Sequence, residues 1–183
     1  MVEVRSLELG DCVLLRGRRF HDNRGWFCET FREDWFRKLG WSPHFVQDNM
    51  SWSEHAWTLR GLHAQRNPFA QAKLISVISG AIFDVIVDCR KDSPTFGMWR
   101  SLELSAEEPE FLFIPRGFCH GFLTLKPSTT VFYKADNVYS AEHEIGLRWD
   151  DPVLNIPWPL KDRAVTVSDK DRTLPSLAEL VPL

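Results

Sequence analysis

The sequence feature that most constrains the fold is the run from Lys73 to Asp88, which reads K-L-I-S-V-I-S-G-A-I-F-D-V-I-V-D. Its β-branched and aromatic residues are typical of strands, and Gly80 divides the run in two. We therefore predict two strands joined as a hairpin at Gly80. No other part of the chain carries a stronger strand signal.

Further short apolar runs, separated by turn residues, follow this pattern along the chain. They predict strands at 12–19, 26–31, 98–104 and 130–137, whereas helix is expected only in short segments at 33–40 and 175–180. Many short strands with turns about 8–12 residues apart indicate an all-β sandwich or barrel. The 183 residues contain no repeat and no linker, so we expect one domain over 1–183.

Composition narrows the class of partner and the compartment. The net charge is -3, which argues against a general binder of nucleic acid or of membrane surfaces. The sequence shows no signal-peptide pattern, and no apolar run approaches the ~18 residues of a membrane span. The cysteines lie far apart, so we expect reduced thiols and a cytoplasmic protein; they are Cys12, Cys28, Cys89 and Cys119.

Polar side chains stand out within this β-rich pattern. His63 lies between two cations, Arg60 and Lys73, and a titratable imidazole among fixed positive charges suits acid/base chemistry on an anion. His120 precedes a glycine in a strand, as in the wall of a binding site. Asp84 interrupts an apolar strand, and a buried carboxylate needs a partner, so it is either a structural group or the orienting group of a histidine.

Several chemistries lack their motifs in this sequence. There is no dinucleotide-binding glycine motif, no phosphate-binding P-loop and no nucleophile elbow. Cys119 beside His120 could suggest a thiol nucleophile, but free cysteines are more often buried small hydrophobes. A metal site is disfavoured because His63 has Gln65, not a second histidine, two residues further on.

The remaining polar residues suit proton transfer without a cofactor. A neutral histidine is a base at neutral pH, a tyrosine is a weak acid, a lysine stabilises an enolate and arginines bind phosphates. This set fits proton abstraction beside a carbonyl and reprotonation from the other face, which is epimerisation. Its candidate members are His63, His120, Tyr133, Lys73, Arg24, Arg60, Glu29, Glu144 and Asp84.

Ordered motifs along nearly the whole chain resemble one known family, the dTDP-4-dehydrorhamnose 3,5-epimerases. They are F-x-D-x-R-G-x-F-x-E (20–29), F-V-Q-D-N (45–49), L-R-G-L-H (59–63), Q-x-K-L (71–74), D-V-x-V-D-x-R (84–90), S-P-T-F-G (93–97), I-P-x-G-F-x-H-G-F (114–122), Y-K (133–134) and S-x-K-D (168–171). So many motifs in order are far more specific than any one of them.

The resemblance implies a jelly-roll (cupin-like) barrel with short peripheral helices, no metal, no cofactor and a homodimer. It implies a nucleotide-sugar substrate, dTDP-4-dehydro-6-deoxyglucose, converted to dTDP-4-dehydrorhamnose. By position, His63 matches the base, Tyr133 the acid, Asp171 the carboxylate that orients the base and Lys73 the enolate-stabilising cation. The positions matching substrate contacts are Arg24, Glu29, Gln47, Asn49, Arg60, Asp84, His120, Tyr139 (stacking on thymine), Glu144 and Lys170.

One departure from the family pattern keeps alternatives open. The family most often has an aromatic residue after the histidine, whereas this chain has Ala64, which could enlarge the pocket or be compensated by a neighbouring Phe or Trp. Relatives that invert only C3 or only C5 of a keto sugar carry much the same catalytic set. The alternatives are such a mono-epimerase, an epimerase of another nucleotide-linked keto sugar, a non-catalytic cupin-like module that binds sugar nucleotides and a metal-dependent oxygenase.

Overall fold

A computed structural model describes residues 2–181 and 183, which form mainly antiparallel strands. The strands are β1 (Glu3–Ser6), β2 (Val13–Arg16), β3 (Arg19–Asp22), β4 (Gly25–Cys28), β5 (Gln47–Ser53), β6 (Leu59–Gln65), β7 (Lys73–Ser79), β8 (Ala81–Asp88), β9 (Trp99–Ser105), β10 (Glu110–Ile114), β11 (Phe118–Thr124), β12 (Thr129–Ala135) and β13 (Glu144–Gly146). The helices are α1 (Glu33–Arg37), α2 (Asp169–Arg172) and a single 3₁₀ turn, Ala141–His143.

Two large sheets face each other. The first has the order β1-β2-β10-β7-β12-β5, the second has the order β13-β6-β11-β8-β9, and β3 and β4 form a separate hairpin. From β5 to β13 the chain passes to the other sheet after every strand except β8, so most pairings join segments far apart in sequence. This architecture confirms the predicted all-β, jelly-roll (cupin-like) barrel with short helices at its periphery.

The main core fills the space between the sheets. Ile75 and Val131 of the first sheet pack with Ile82, Ile86 and Phe122 of the second, and these residues are buried. The alternation of side chains along each strand sends the next residues to the outer faces. There α1 covers the first sheet through Trp35 and Phe36, and the segment 147–180 covers the second.

The hairpin predicted at Gly80 is wrong. β7 pairs with β10 and β12, whereas β8 pairs with β9 and β11, so the chain passes from one sheet to the other at Gly80. Gly80 has a φ of +77°, and a Cβ there would lie 2.2 Å from Oγ1 of Thr129. Both strands bury residues on both faces. Strands in two packed sheets that meet at a corner can do so, whereas an isolated hairpin leaves one face exposed.

The helices are shorter than the sequence pattern indicated. The segment predicted at 33–40 is helical over Glu33–Arg37, and 175–180 forms turns instead of a helix. A four-residue helix forms instead at Asp169–Arg172, where Oγ of Ser168 accepts a 3.1 Å hydrogen bond from Asp171 N–H. Among the residues that the structure describes, no helix is long and apolar enough to cross a membrane.

Candidate active site

A cavity of about 530 Å³ opens between the two sheets at one end of the barrel. It is adjoined by a smaller cavity of about 230 Å³, and His63, Lys73 and Tyr133 line both. The larger cavity also contains Arg60, His120, Lys170 and Asp171. The smaller one contains Gln47, Asn49, Tyr139 and Glu144. Most residues that the sequence singled out therefore face one continuous space.

His63 and Asp171 form a hydrogen-bonded pair in this space. Nε2 of His63 lies 2.9 Å from Oδ1 of Asp171, which is only 4% exposed. Burial opposes ionisation of this carboxyl, but the hydrogen bonds from His63 and from Gly61 N–H lower the pKa of Asp171 below its usual value. An ionised Asp171 accepts a hydrogen bond from Nε2–H of His63. In a neutral imidazole with its proton on Nε2, the free lone pair lies on Nδ1.

Two glycines bring the histidine-bearing strands close together. A Cβ on Gly61 would lie 2.7 Å from Cα of Gly121 and 2.7 Å from the His120 carbonyl oxygen, and Gly61 has a φ of +111°. β6 carries one extra residue here, because His63 pairs with His120 while Arg60 pairs with Phe122. Such a bulge re-aims the side chains around it and sets the two imidazoles side by side on the cavity wall.

Lys73 and Tyr133 approach the same space from the opposite sheet. Nζ of Lys73 on β7 lies 3.4 Å from the carbonyl oxygen of His63 on β6, so this side chain spans the gap between the sheets. Burial lowers the pKa of Lys73 and raises the pKa of Tyr133. The tyrosine is therefore a protonated phenol at neutral pH, facing an imidazole across the cavity.

Asp84 lies behind His120. Oδ2 of Asp84 is 2.8 Å from Nε2 of His120, and Asp84 is fully buried. Burial raises the pKa of Asp84, which the histidine opposes. Within the described residues, Oδ1 of Asp84 has no hydrogen-bond partner. The hydrogen bond between Asp84 and His120 fits both roles expected for the carboxylate, structural or orienting, and the choice between them stays a prediction.

Glu144 links the cavity to a rim of polar groups. Its Oε2 accepts hydrogen bonds from the Tyr139 hydroxyl (2.5 Å) and from Nζ of Lys170 (2.7 Å), while its Oε1 lies 3.8 Å from Nε2 of His63. Burial opposes ionisation, but these hydrogen bonds lower the pKa of Glu144. On the same side Gln47 donates to Asn49 Oδ1 (2.8 Å).

Cations lie both inside and outside the cavity. Arg60 lines it and donates to Ser53 Oγ (3.2 Å) and to the Trp52 carbonyl oxygen (3.1 Å). Arg24 and Glu29, in contrast, belong to the β3–β4 hairpin region and line neither cavity. Arg24 is exposed and paired with Asp22 (2.6 Å), and Glu29 is paired with Arg32. Within one chain the structure does not bring these two residues to His63.

The described residues offer no metal site, but they include one further polar group at the cavity. Over residues 2–181 and 183, no group of three or more His, Cys, Asp or Glu side chains is arranged to hold a metal ion. Gln65, which the sequence reasoning noted only as a non-histidine, is buried beside the smaller cavity and makes three hydrogen bonds. Its position two residues after His63, on the same strand face, was the signal available.

Comparison with known proteins connects this geometry to a family. The model of the family described as dTDP-4-dehydrorhamnose 3,5-epimerase matches residues 6–179. The chain belongs to this family. It is therefore an enzyme, an isomerase, and the resemblance seen in the sequence motifs is confirmed over most of its length.

Relatives of this epimerase family match at high identity. A dTDP-4-dehydrorhamnose 3,5-epimerase of Sinorhizobium fredii is 51% identical over 176 residues, which are 96% of this chain and 90% of that protein. A crystal structure of the enzyme from Bacillus anthracis, with TDP and PPi bound, is 50% identical with a TM-score of 0.92, covering 96% and 99% of the two chains.

A third family member carries a sugar nucleotide. The crystal structure of the epimerase from Legionella pneumophila, in complex with dTDP-4-keto-L-rhamnose, is 37% identical with a TM-score of 0.93. The match covers 98% of this chain and 95% of that one. The family match over residues 6–179 includes every strand that lines the cavity.

Proposed function

We propose that this chain inverts both C3 and C5 of dTDP-4-dehydro-6-deoxyglucose to give dTDP-4-dehydrorhamnose, without a cofactor. The observation that carries the proposal is that two candidate proton-transfer groups line a single cavity from opposite sheets. One is His63, which is hydrogen-bonded to Asp171, and the other is Tyr133. The family relatives that act on or bind the same sugar nucleotides support the choice of substrate.

The first chemical step is proton abstraction beside the ketone. The 4-keto group acidifies the hydrogens at C3 and C5, and a neutral His63 takes one of them as general base. The electron pair left on carbon moves into an enolate whose negative charge lies on the C4 oxygen. Asp171 holds the imidazole in one tautomer and stabilises the imidazolium that forms.

The second step is reprotonation from the other side of the ring. Lys73 offers an ammonium to the enolate oxygen, and because burial lowers its pKa the proton is more readily shared with that oxygen. Tyr133, whose pKa is raised by burial, donates its phenolic proton to the opposite face of the carbon. The imidazolium of His63 then loses its extra proton to solvent and the phenolate of Tyr133 takes one up, so that the reaction is a net isomerisation.

Binding of the nucleotide falls to the polar rim. Arg60 and Lys170 are cations at the cavity and suit the diphosphate. Tyr139 is 53% exposed at the mouth of the smaller cavity, and its ring offers a stacking surface for thymine. His120, held by Asp84, offers a hydrogen bond to the sugar.

The test is NMR of the purified enzyme with dTDP-4-dehydro-6-deoxyglucose in D₂O. We expect deuterium at both C3 and C5 and an inverted product. Exchange at one carbon alone would identify a mono-epimerase, and binding with no exchange would identify a non-catalytic module. In His63→Ala, solvent deuterium uptake should be abolished; undiminished exchange would refute the role of His63 as the base.

We propose further that two copies associate and that each supplies Arg24 and Glu29 to the cavity of the other. Large apolar side chains are exposed on the hairpin, where Phe27 is 69% exposed, and on the outer face of the first sheet, where Met50 is 71% exposed. A second copy covering these surfaces would remove that apolar area from water. It would also explain why Arg24 and Glu29 do not reach His63 within one chain.

Light scattering should then give twice the chain mass of 21.3 kDa. The shared site has a sharper test in mixed dimers. Arg24→Ala and His63→Ala should each be inactive alone, whereas refolding the two together should recover activity, because one site of the mixed dimer has both native residues. No recovery would mean that Arg24 acts, if at all, within its own chain.

We also propose that the enzyme works in the cytoplasm. Its four cysteines are all free in the structure, as expected in a reducing compartment. Subcellular fractionation with an antibody tests this assignment.

A further inference from the structure

Tyr139 lies on a segment without regular secondary structure, between the end of β12 at Ala135 and the 3₁₀ turn Ala141–His143. Its side chain is 53% exposed and its hydroxyl is tied to Glu144 at 2.5 Å. An exposed ring on an irregular segment stacks tightly on a ligand only when its backbone is already held in place. Otherwise binding must order that backbone, and the lost conformational entropy weakens the affinity.

One buried side chain holds the backbone on both sides of this tyrosine. Nε2 of Gln65 donates to the carbonyl oxygen of Val138 at 3.2 Å, and Oε1 of Gln65 accepts from the N–H of Ser140 at 2.6 Å. The same Nε2 donates to the carbonyl oxygen of Phe69 at 2.8 Å, so both of its hydrogens are used.

Gln65 is itself rigidly placed. It is 5% exposed, it lies on β6 opposite Glu144 of β13, and it follows His63 by two residues on the same strand face. A buried amide with its donors and acceptor satisfied has little freedom to rotate. The strand that carries His63 therefore also fixes the residues that flank Tyr139.

A second glutamine completes the arrangement from the other sheet. Oε1 of Gln47, on β5, accepts from the N–H of Tyr139 at 2.9 Å. The backbone over 138–140 is thus hydrogen-bonded to side chains of both sheets. The sequence predicted a substrate contact for Gln47 but none for Gln65. No catalytic step described above uses Gln65.

We propose that Gln65 is a positioning residue for nucleotide binding, which acts by holding Val138 and Ser140 so that the ring of Tyr139 is presented to the base. This inference rests on the proposed function, in which Tyr139 stacks on the nucleobase. All the polar atoms of the Gln65 side chain are bonded to backbone, and it has no part in the proposed proton transfers, so its loss should weaken nucleotide binding while leaving those transfers intact.

A double-mutant cycle tests the inference on the full-length enzyme, with dTDP as the probe in titration calorimetry. Gln65→Met keeps the side-chain length and removes all three hydrogen bonds. We expect its Kd for dTDP to rise about tenfold, because the ligand must then order the backbone around Tyr139. In a Tyr139→Ala background the same change should alter the Kd less than twofold.

Kinetics give an independent readout. Gln65→Met should raise KM for the sugar nucleotide by a similar factor and keep kcat at saturating substrate within twofold of the native value. An equal loss of dTDP affinity in both backgrounds, no loss in the native background, or a fall confined to kcat would each overturn the inference.

A second variant guards against misfolding. Gln65→Glu keeps the size of the side chain and the acceptor for Ser140 but loses both donors, and the same cycle applies to it. The outcome for Tyr139→Ala alone separates the two proposals. If that variant binds dTDP as tightly as the native enzyme, the stacking role of Tyr139 fails, and the role of Gln65 fails with it. If it binds weakly while Gln65→Met and Gln65→Glu bind normally, only the role of Gln65 is wrong.

Discussion

Asp171 holds both His63 and the strand that carries it. Oδ1 of Asp171 lies 2.9 Å from Nε2 of His63, while Oδ2 accepts a 3.0 Å hydrogen bond from the N–H of Gly61, two residues earlier on β6. One carboxylate thus fixes the imidazole and its backbone together.

Replacing Asp171 by asparagine should impair catalysis more than binding. The amide can present its NH₂ to Nε2 of His63, which would favour the tautomer whose free lone pair points away from the substrate. We expect kcat to fall about 10²–10⁴-fold, with a much smaller change in the Kd for dTDP. Asp169→Asn, on the exposed side of the same helix, is the matched control and should retain activity. Equal kcat values for the two variants would contradict the role of Asp171.

Replacing Tyr133 by phenylalanine should separate the two proton transfers. The ring keeps its packing against the core, but the phenolic proton is lost. With His63 intact, abstraction still occurs, and the proton can return only to the face it left. NMR in D₂O should therefore show deuterium uptake with retention and little inverted product. Inverted product at the native rate would exclude Tyr133 as the acid.

Gly61→Ala should destabilise the fold strongly. A Cβ at this position meets backbone atoms of Gly121 and His120 at 2.7 Å, and the φ of +111° disfavours any side chain. We expect a loss of more than about 3 kcal/mol in the free energy of unfolding, measured with urea. Gly40→Ala is the control: its φ is +79° but nothing lies within 4 Å of the added Cβ, so it should cost only about 1 kcal/mol. Similar losses for both would show that the close strand approach is unimportant.

Acid should weaken the fold through Asp88. This buried carboxylate accepts hydrogen bonds from Arg90, Ser93 and Thr95. Burial alone would raise the pKa of Asp88, but these hydrogen bonds lower it to about 2 from the ordinary 3.8. Because the folded-state pKa is the lower one, the stabilisation is fully present above about pH 4 and is lost as the pH falls towards 2.

Asp88→Asn should then cost about 2–3 kcal/mol at pH 7, since it weakens charged, buried hydrogen bonds. Its cost should shrink as the pH falls from 4 to 2, measured by urea unfolding across that range. A cost independent of pH over this interval would mean that Asp88 does not titrate as described.

Local patterns predicted the β-rich class and several residues of the cavity, whereas Gln47, Asn49, Tyr139, Lys170 and Asp171 were named only from the motif resemblance. His63, Lys73 and Tyr133 each stand on a strongly strand-like segment, so their inward alternation followed from the register of side chains. The pairing of those strands did not follow. Gly80 reads equally well as a hairpin turn or as a corner between sheets, and only the packing of distant strands decides between them.

The supporting residues were harder to predict than the reactive ones. Gln65 makes hydrogen bonds to backbone 4, 73 and 75 residues away, and an amide carries no signal of such partners in the sequence. For Arg24 and Glu29 the sequence says more than the single chain does. The motif resemblance implies that they contact substrate, whereas in one folded chain they lie outside the cavity.

The carboxylate that pairs with His63 comes late in the chain. The strand pairing of both large sheets is complete by Gly146, but Asp171 follows more than twenty residues later and docks beside Gly61 through its own short helix. A ribosome-bound chain truncated before Ser168 would thus have the sequence for every strand of the barrel, including the one that bears the imidazole, yet lack the group that aligns it. In the proposed mechanism, activity therefore depends on the docking of this C-terminal segment. Cleavage by a protease between the barrel and α2 should abolish activity before the barrel unfolds.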